Sequence, residues 1–374
     1  MESLAYVSLN GDFLIHNILQ FRGLLSSDVK IALTVKGNAY GHGLKEIVGI
    51  ADNSVDYFQV NDVRELIEVR GSSTKKVLVL GYVRPQKLKE LNGLNAEFAI
   101  YSLEQLKAIE KEGLKNVSVH LKLDSLLGRE GILLKELPFM IQKIKSSPSV
   151  KLVGVYSHFS NIEDTSDFTQ AEQQINIHEK ALSLIKEASF TTILEHISAS
   201  SGILAYESIR RCSNLVRLGI GAYGLWPSYD LKTRFAQTLR LEPVLKWATQ
   251  VAEMKTLPAQ HPIGYGLTYI TAKPTRIALV PQGYADGYDR GLSNSGEVLI
   301  QGSRCPVLGR VSMNMFVVDV SHLKKVVLGE EIVLLGRQGD QEITAEEIAA
   351  KISSINYEVV TRISPLIPRV LKNK

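Results

Sequence analysis

Lys30-Ile31-Ala32-Leu33-Thr34-Val35-Lys36 is a short apolar, β-branched run that ends on a lysine, and Gly37-Asn38-Ala39-Tyr40-Gly41-His42-Gly43 follows without a break. The first stretch reads as a buried strand. The second reads as a tight turn, because glycines, an aromatic and a histidine suit a loop pressed against a ligand. Seven similar runs follow at 55–60, 76–80, 97–101, 117–123, 151–157, 193–198 and 215–219. Amphipathic helical stretches lie between most of them. Ser102-Leu103-Glu104-Gln105 is a capping box, with Leu103, Leu106 and Ile109 at helical spacing, and 167–188 is one long helical segment. Strand and helix alternating eight times predict an α/β fold, a closed parallel (β/α)8 or TIM barrel, with a doubly wound sheet as the competitor.

After about residue 235 the rhythm changes. Strand-like runs at 244–254, 276–281, 298–301, 316–320 and 331–335 are separated by turn signals such as Asn294-Ser295-Gly296 and Gln301-Gly302-Ser303. Thr344-Ala345-Glu346-Glu347 opens a single helix with a second capping box. The expected division is a barrel over 1–235 and a mainly β C-terminal domain over 236–374.

Composition narrows the function classes. The chain has 374 residues, 45% hydrophobic and 22% charged, with a formal charge of +4. That balance is ordinary for a globular protein, and with no basic run of five or more residues it gives little support to nucleic-acid binding. Cys212 and Cys305 form no zinc pattern or disulfide framework, so a reducing compartment and no metal are expected. The start lacks the basic end and apolar stretch of a signal peptide, and no apolar run approaches the roughly 20 residues of a membrane span. The expected location is the cytoplasm, away from membranes.

Barrels of this kind carry chemistry at the C-terminal ends of their strands. Lys36 ends the first predicted strand, Lys122 and Asp124 the fifth, and His158 the sixth. Ser198 and Ser200 follow the seventh; Arg217 lies in the eighth, which Gly219 and Gly221 close. Loops after strands seven and eight often hold a phosphate through backbone amides and hydroxyls, a task that fits Ser200, Gly219 and Ile220. A phosphate-bearing ligand beside a lysine is therefore expected. Pyridoxal 5'-phosphate meets both demands, offering an anion to anchor and an aldehyde to condense with an amine.

With these residues in view, the chain resembles the alanine racemases. Residues 35–43 resemble the family's cofactor-lysine motif. Leu121-Lys122-Leu123-Asp124 with Gly128-Arg129, Tyr156-Ser157-His158-Phe159, and Val216-Arg217-Leu218-Gly219-Ile220 with Tyr223-Gly224-Leu225 resemble further barrel motifs. Gly264-Tyr265-Gly266-Leu267-Thr268-Tyr269, Gly283-Tyr284-Ala285-Asp286-Gly287, Gly309-Arg310-Val311-Ser312-Met313 and Asn356-Tyr357-Glu358-Val359 resemble motifs of the second half. The matches run in order over nearly the whole chain.

The resemblance implies a homodimeric amino-acid racemase, an isomerase that interconverts L- and D-alanine and supplies D-alanine for peptidoglycan in the bacterial cell wall. It implies Lys36 as the lysine that holds pyridoxal phosphate and carries one proton, and Tyr265 of the partner subunit as the second base. Two bases on opposite faces let a proton leave one side of Cα and return to the other. A free phenol, with pKa about 10, needs neighbours that stabilise its anion for this task. Arg217 is implied to face the pyridine nitrogen and leave it unprotonated, which favours racemisation over decarboxylation. His158 would pack near the cofactor and link Arg217 towards Tyr265. Arg129 and the partner's Met313 amide would meet the substrate carboxylate. Tyr40, Ser200, Gly219, Ile220 and Tyr357 would hold the phosphate, and Tyr284 would line the narrow entrance. The resemblance implies that Lys122 can be carbamylated, as in many members, its anion steadying Arg129, whereas an unmodified Lys122 near Arg129 would repel it.

Several positions depart from the family pattern: Gly37 for alanine, Asp124-Ser125-Leu126-Leu127 for Asp-Thr-Gly-Met, Glu130 for leucine, Ala199 for asparagine, Ser312 and Asn314 for cysteine and aspartate, and Leu366 for arginine. The alternatives are a racemase of broader specificity, a non-catalytic barrel that carries the cofactor, and a decarboxylase. The segment 236–374 argues against the carrier, since such barrels lack it. Arg217 argues against the decarboxylase.

Overall fold

The structure is a computed structural model and describes residues 3–91, 93–163, 165–205 and 213–372, so Cys212 lies outside the described residues. Contacts divide the chain into two compact units. A barrel unit comprises Phe13–Gly37 and Ile47–Glu242, and a β unit comprises Met1–Asp12, Asn38–Glu46 and Pro243–Lys374.

The first strand, β1 (Tyr6–Leu9), belongs to the β unit. The barrel unit contains β2 (Lys30–Thr34), β3 (Tyr57–Val60), β4 (Lys76–Val79), β5 (Ala96–Ile100), β6 (Val117–Lys122), β7 (Val150–Tyr156), β8 (Leu194–His196) and β9 (Leu215–Leu218). These eight strands form one sheet in the order β8-β7-β6-β5-β4-β3-β2-β9, every pair parallel. A parallel bridge between Ala199 and Arg217, with Arg217 N donating to Ser198 O at 3.0 Å, joins the chain after β8 to β9 and closes the ring. The expected α/β barrel is what forms, and the closure excludes a doubly wound sheet.

All four residues of β3 and of β9 are buried, the near-continuous apolar pattern of parallel strands covered by helices. The helix Thr169–Glu187 supplies part of that cover through a stripe of Ala171, Gln174, His178, Ala181, Leu182 and Ile185. Ser102 caps the helix Leu103–Lys111 by accepting from Gln105 N, as its capping-box sequence predicts.

The β unit adds β10 (Leu245–Gln250), β11 (Glu253–Leu257), β12 (Pro262–Ile263), β13 (Tyr269–Ile270), β14 (Thr275–Val280), β15 (Glu297–Ile300), β16 (Ser303–Leu308), β17 (Phe316–Asp319), β18 (Glu331–Gln338), β19 (Gln341–Ile343) and β20 (Arg369–Leu371). Its main sheet runs β11-β14-β17-β16-β15-β18-β10-β1-β20, with β19 beside β18 and a separate β12–β13 pair. The run read as one strand at 244–254 is two, β10 and β11, which join different neighbours. β16 escaped sequence reading because Pro306 argues against a strand; it is exposed and sits opposite Glu297. β1 and β20 escaped it because they are short and pair with each other from opposite ends of the chain.

The barrel interior is unusually polar at one level. His120 on β6 is fully buried, and its ring occupies the space beside Gly154 on β7. A Cβ at Gly154 would lie 2.1 Å from His120 Nδ1. Gly154→Ala therefore overpacks the barrel. It is expected to cost about 1–3 kcal/mol, seen as a lower calorimetric Tm, and an unchanged Tm would show that His120 can move aside.

Candidate active site

Lys36 lies two residues beyond β2, not at its last residue, and opens the turn Lys36–Tyr40. Gly37, Asn38, Ala39 and Tyr40 have φ of 64°, 54°, 52° and 53°, so this helical turn winds left-handed. For L-residues that conformation costs roughly 1–2 kcal/mol each, and local bonds must hold it. Gly37 N donates to Glu65 Oε1 at 2.6 Å, and Leu44 N donates to Asn38 Oδ1 at 2.9 Å. At Gly41, where φ is 80°, a Cβ would lie 1.9 Å from Val360 O, so only glycine fits.

The other barrel residues singled out from sequence gather at the C-terminal ends of the strands. Lys122 is the last residue of β6, His158 follows β7, Ser200 follows β8, and Gly219 and Ile220 follow β9. Arg217 is buried within β9 and every polar contact it makes is a donation. Nη1 donates to His196 Nδ1 at 2.7 Å; Nη2 donates to Ser157 O at 2.8 Å, Ile197 O at 2.9 Å and His158 Nδ1 at 3.1 Å. Arginine has no acceptor, so both histidines are assigned as neutral rings with the proton on Nε2. His196 Nε2 then donates to His120 Nδ1 at 2.9 Å, and His120 Nε2 to Glu97 Oε2 at 2.8 Å. Lys76 Nζ donates to Glu97 Oε1 at 2.7 Å and ends the chain.

Sequence reasoning missed His196, His120 and Glu97. A signal was present: each interrupts an apolar strand, and His120 shares the strand face of Lys122, two residues on.

The cations at this mouth act on each other. Burial lowers the Lys36 pKa first, and Arg129 and Arg217 lower it further, outweighing Glu65 and Glu130. His158 is pushed down to about 3, by burial first and then by Arg217, Arg129, Lys122 and Lys36. Lys36, Lys122, Arg129, His158 and Arg217 thus form one electrostatic group. The Tyr156 ring lies 5.7 Å from Lys122 Nζ and 5.4 Å from Arg217 Cζ, and stacks on His196 at 4.9 Å. Glu130 accepts from Arg129 Nε at 2.6 Å and pairs with Lys122. Sequence reading registered Glu130 only as a departure beside Arg129.

Ser200 Oγ accepts from Gly219 N at 3.0 Å and Gly221 N at 3.2 Å, which draws the loops after β8 and β9 together. Nearby in the chain, Ser198 Oγ is buried without a hydrogen-bond partner. An orphaned hydroxyl, clustered cations and a lysine of lowered basicity suit an anionic aldehyde, so the residues present fit pyridoxal phosphate.

The remaining candidates lie in the β unit. Tyr40 and Tyr357 meet with ring centroids 6.1 Å apart. Tyr265 is 72% exposed and Met313 55%, with Tyr284, Leu267 and Met315 also exposed. The segment 309–315 gathers them: Tyr284 N donates to Ser312 O at 3.1 Å and Ala285 N to Met313 O at 2.9 Å, while a Cβ on Gly309 would lie 2.5 Å from Ile263 O, beside the Tyr265 turn. Among the described residues, no group of three or more His, Cys, Asp or Glu could hold a metal ion, and no helix is long and apolar enough to cross a membrane.

Residues 9–227 match the family described as alanine racemase, N-terminal domain, and residues 244–371 match alanine racemase, C-terminal domain. The chain belongs to the alanine racemase family. Family members are isomerases. An alanine racemase of Methylacidiphilum infernorum is 36% identical over 98% of this chain and 92% of its own, and one of Leptospira interrogans is 31% identical over 98% and 95%. Among solved structures, the alanine racemase from Bacillus anthracis with bound L-Ala-P superposes with a TM-score of 0.93 at 32% identity, covering 100% of this chain and 96% of that one. The family fold therefore extends through both units.

The buried histidines make stability depend on pH. Burial is the first cause of the fall from 6.5 to about 4 in His42, about 3 in His158 and about 4 in His178. The folded state keeps them neutral while an unfolded chain protonates them below 6.5, so stability is full above 6.5 and is lost as pH falls towards 3–4. Unfolding near pH 5 is expected to take up about three protons from these groups, and Tm should drop steadily from pH 7 to 4. A flat calorimetric Tm across that window would mean the histidines are already charged when folded.

Proposed function

We propose that this chain interconverts L- and D-alanine, with pyridoxal 5'-phosphate held on Lys36. The observation that carries the reading is the cluster at the barrel mouth: a buried lysine of lowered basicity beside Arg217, a cation that can only donate. Bound pyridoxal phosphate would supply an electron sink that acidifies the Cα–H of an amino acid. The work of the chain's own residues follows from their chemistry.

Lys36, kept less basic, is a better nucleophile towards an aldehyde and can afterwards move a proton at one face of Cα. Arg217 would face the ring nitrogen as a donor, which would leave that nitrogen without a proton of its own. His158 stays neutral beside Arg217 and links it towards the second base. Ser200, Gly219, Ile220, Tyr40 and Tyr357 hold the phosphate. Arg129 binds the substrate carboxylate through its planar fork.

The opposite face of Cα needs another base, and we assign it to Tyr265 of the partner subunit, with the partner's Met313 amide at the carboxylate and the partner's Tyr284 at the entrance. Support comes from the exposure of these residues with Leu267 and Met315 on one surface of the β unit, since apolar surface of that kind marks an interaction site. The reading thus includes a homodimer in which the barrel part, expected over 1–235, binds cofactor and the part over 236–374 completes the partner's site. It includes a cytoplasmic supply of D-alanine for peptidoglycan.

Solvent-deuterium exchange tests the assignment. The wild type is expected to exchange Cα–H and interconvert both enantiomers of alanine. Lys36→Ala should lose cofactor and turnover, and Tyr265→Phe should slow racemisation about 10²–10⁴-fold while still exchanging one enantiomer. Racemisation of both enantiomers at the wild-type rate by Tyr265→Phe would sink the two-base reading, and interconversion of serine or lysine as fast as alanine would favour a broader racemase. Sedimentation with parallel assays on dilution tests the shared site: activity should fall as dimers dissociate, and a fully active monomer would refute it.

A further inference from the structure

We propose that Glu130 positions Arg129 for the substrate carboxylate and keeps Lys122 an unmodified ammonium. The identity of that substrate rests on the racemase reading; the ionic bridge does not.

The bridge is built by the backbone. After β6 the chain turns and comes back. Asp124 Oδ1 accepts from Leu127 N at 2.8 Å and Gly128 N at 3.1 Å, Ile132 N donates to Lys122 O at 2.9 Å, and Asp124 N donates to Ile132 O at 3.0 Å. A Cβ at Gly131 would lie 2.4 Å from Asp124 N, so the return passes as closely as a glycine allows. This fold-back sets Glu130 over Lys122. One carboxylate oxygen pairs with Lys122 Nζ, and the other accepts from Arg129 Nε at 2.6 Å, with a longer contact of 3.3 Å from Arg129 Nη2 to the first.

Two consequences follow. A guanidinium presents two bidentate edges. Glu130 occupies the Nε–Nη2 edge of Arg129, which orients the Nη1–Nη2 edge for a carboxylate ligand. The Lys122 side chain is only 3% exposed, so its charge needs a partner within the protein. Glu130 is that partner, and burial costs it less than its two cations return: its pKa is held down at about 2. An ammonium has no lone pair with which to attack carbon dioxide. Burial first, then Arg129 and Arg217, lower the Lys122 pKa, while the Glu130 bond and charge raise it, so Glu130 opposes release of the lone pair that the carbamate expected by resemblance would need, and it already supplies the negative charge between Lys122 and Arg129.

Removing that carboxylate reverses the logic. In Glu130→Gln, Lys122 faces Arg129 without an anion and loses its proton to solvent. The neutral amine can then add its lone pair to dissolved carbon dioxide: the N–C bond forms, one C–O π pair moves to oxygen, and nitrogen releases a proton.

The test uses holoenzyme in 13C-labelled bicarbonate and, separately, in buffer freed of carbon dioxide. Wild type should show no carbamate carbon by 13C NMR; Glu130→Gln should show one, absent from Glu130→Gln with Lys122→Met. Propionate, a carboxylate of alanine's size without the amine, should bind Glu130→Gln about 10-fold more weakly by calorimetry in the CO2-free buffer, and bicarbonate should restore part of the loss. In turnover the same variant should raise KM for alanine with little change in kcat, a split that general destabilisation would not produce. A carbamate carbon in wild type overturns the proposal, as does unchanged propionate affinity in Glu130→Gln or the lack of any carbamate in that variant. Should Glu130→Gln not fold, the wild-type spectrum and propionate binding by Glu130→Asp, expected to be intermediate, decide the matter. A wild type that binds propionate in this way yet racemises nothing would defeat the proposed function and leave the Glu130 inference standing.

Discussion

A guanidinium donates five hydrogen bonds and accepts none, and the barrel unit is organised around one such group buried in its last strand. Because Arg217 can only give, each neighbour must receive, which fixes the tautomers of His158 and His196 before any ligand arrives. The order propagates through His120 to Glu97, whose carboxylate is the first negative charge on that line and is itself paired with Lys76. Lys76 begins β4, whereas Arg217 is the third residue of β9, so the chain climbs from the N-terminal side of the sheet towards its C-terminal mouth. Its cost in desolvation is considerable, since a well-packed apolar interior is often the more stable choice. What the arrangement provides is a mouth with excess positive charge where His158 and His196 stay neutral, both requirements of a site that holds an anion and manages protons without competing for them.

Legibility in the sequence followed distance along the chain. All eight barrel strands were readable because each is a compact apolar run and the helices between them announce themselves by period and cap. In the β unit, order depended on partners far away. Val7 and Arg369 lie side by side in the sheet, yet nothing within either short segment marks the pairing. Pro306 illustrates a different failure: the residue argues against a strand in general, but here Val307 N donates to Gly296 O, so Pro306 and Glu297 form a non-hydrogen-bonded pair and β15 needs no N–H from the proline. Lys36 illustrates a third. Its apolar flank reads on as strand, while a left-handed turn begins at Gly37, directly after it, and continues through Asn38, Ala39 and Tyr40, none of which announces that conformation.

The site followed the same rule with one instructive exception. Residues at strand ends were readable from position and resemblance. The histidines and Glu97 behind them were not, because a single polar residue in a strand gains meaning only when its neighbours across the barrel are known. Arg129 and Glu130 were in plain view as neighbours in sequence. An adjacent arginine and glutamate usually form a solvated surface pair worth little, and nothing local says otherwise. What changes their value is Lys122, eight residues earlier and buried, returned to Glu130's side by a turn that Asp124 and Gly131 make possible. Once a buried ammonium depends on that carboxylate, the pair can no longer exchange with water at little cost, and the orientation of Arg129 is tied to the interior of the barrel. A departure from the family pattern at one position thus has its meaning set by the burial of another, which is why counting departures along the sequence says less than asking which buried charge each one serves.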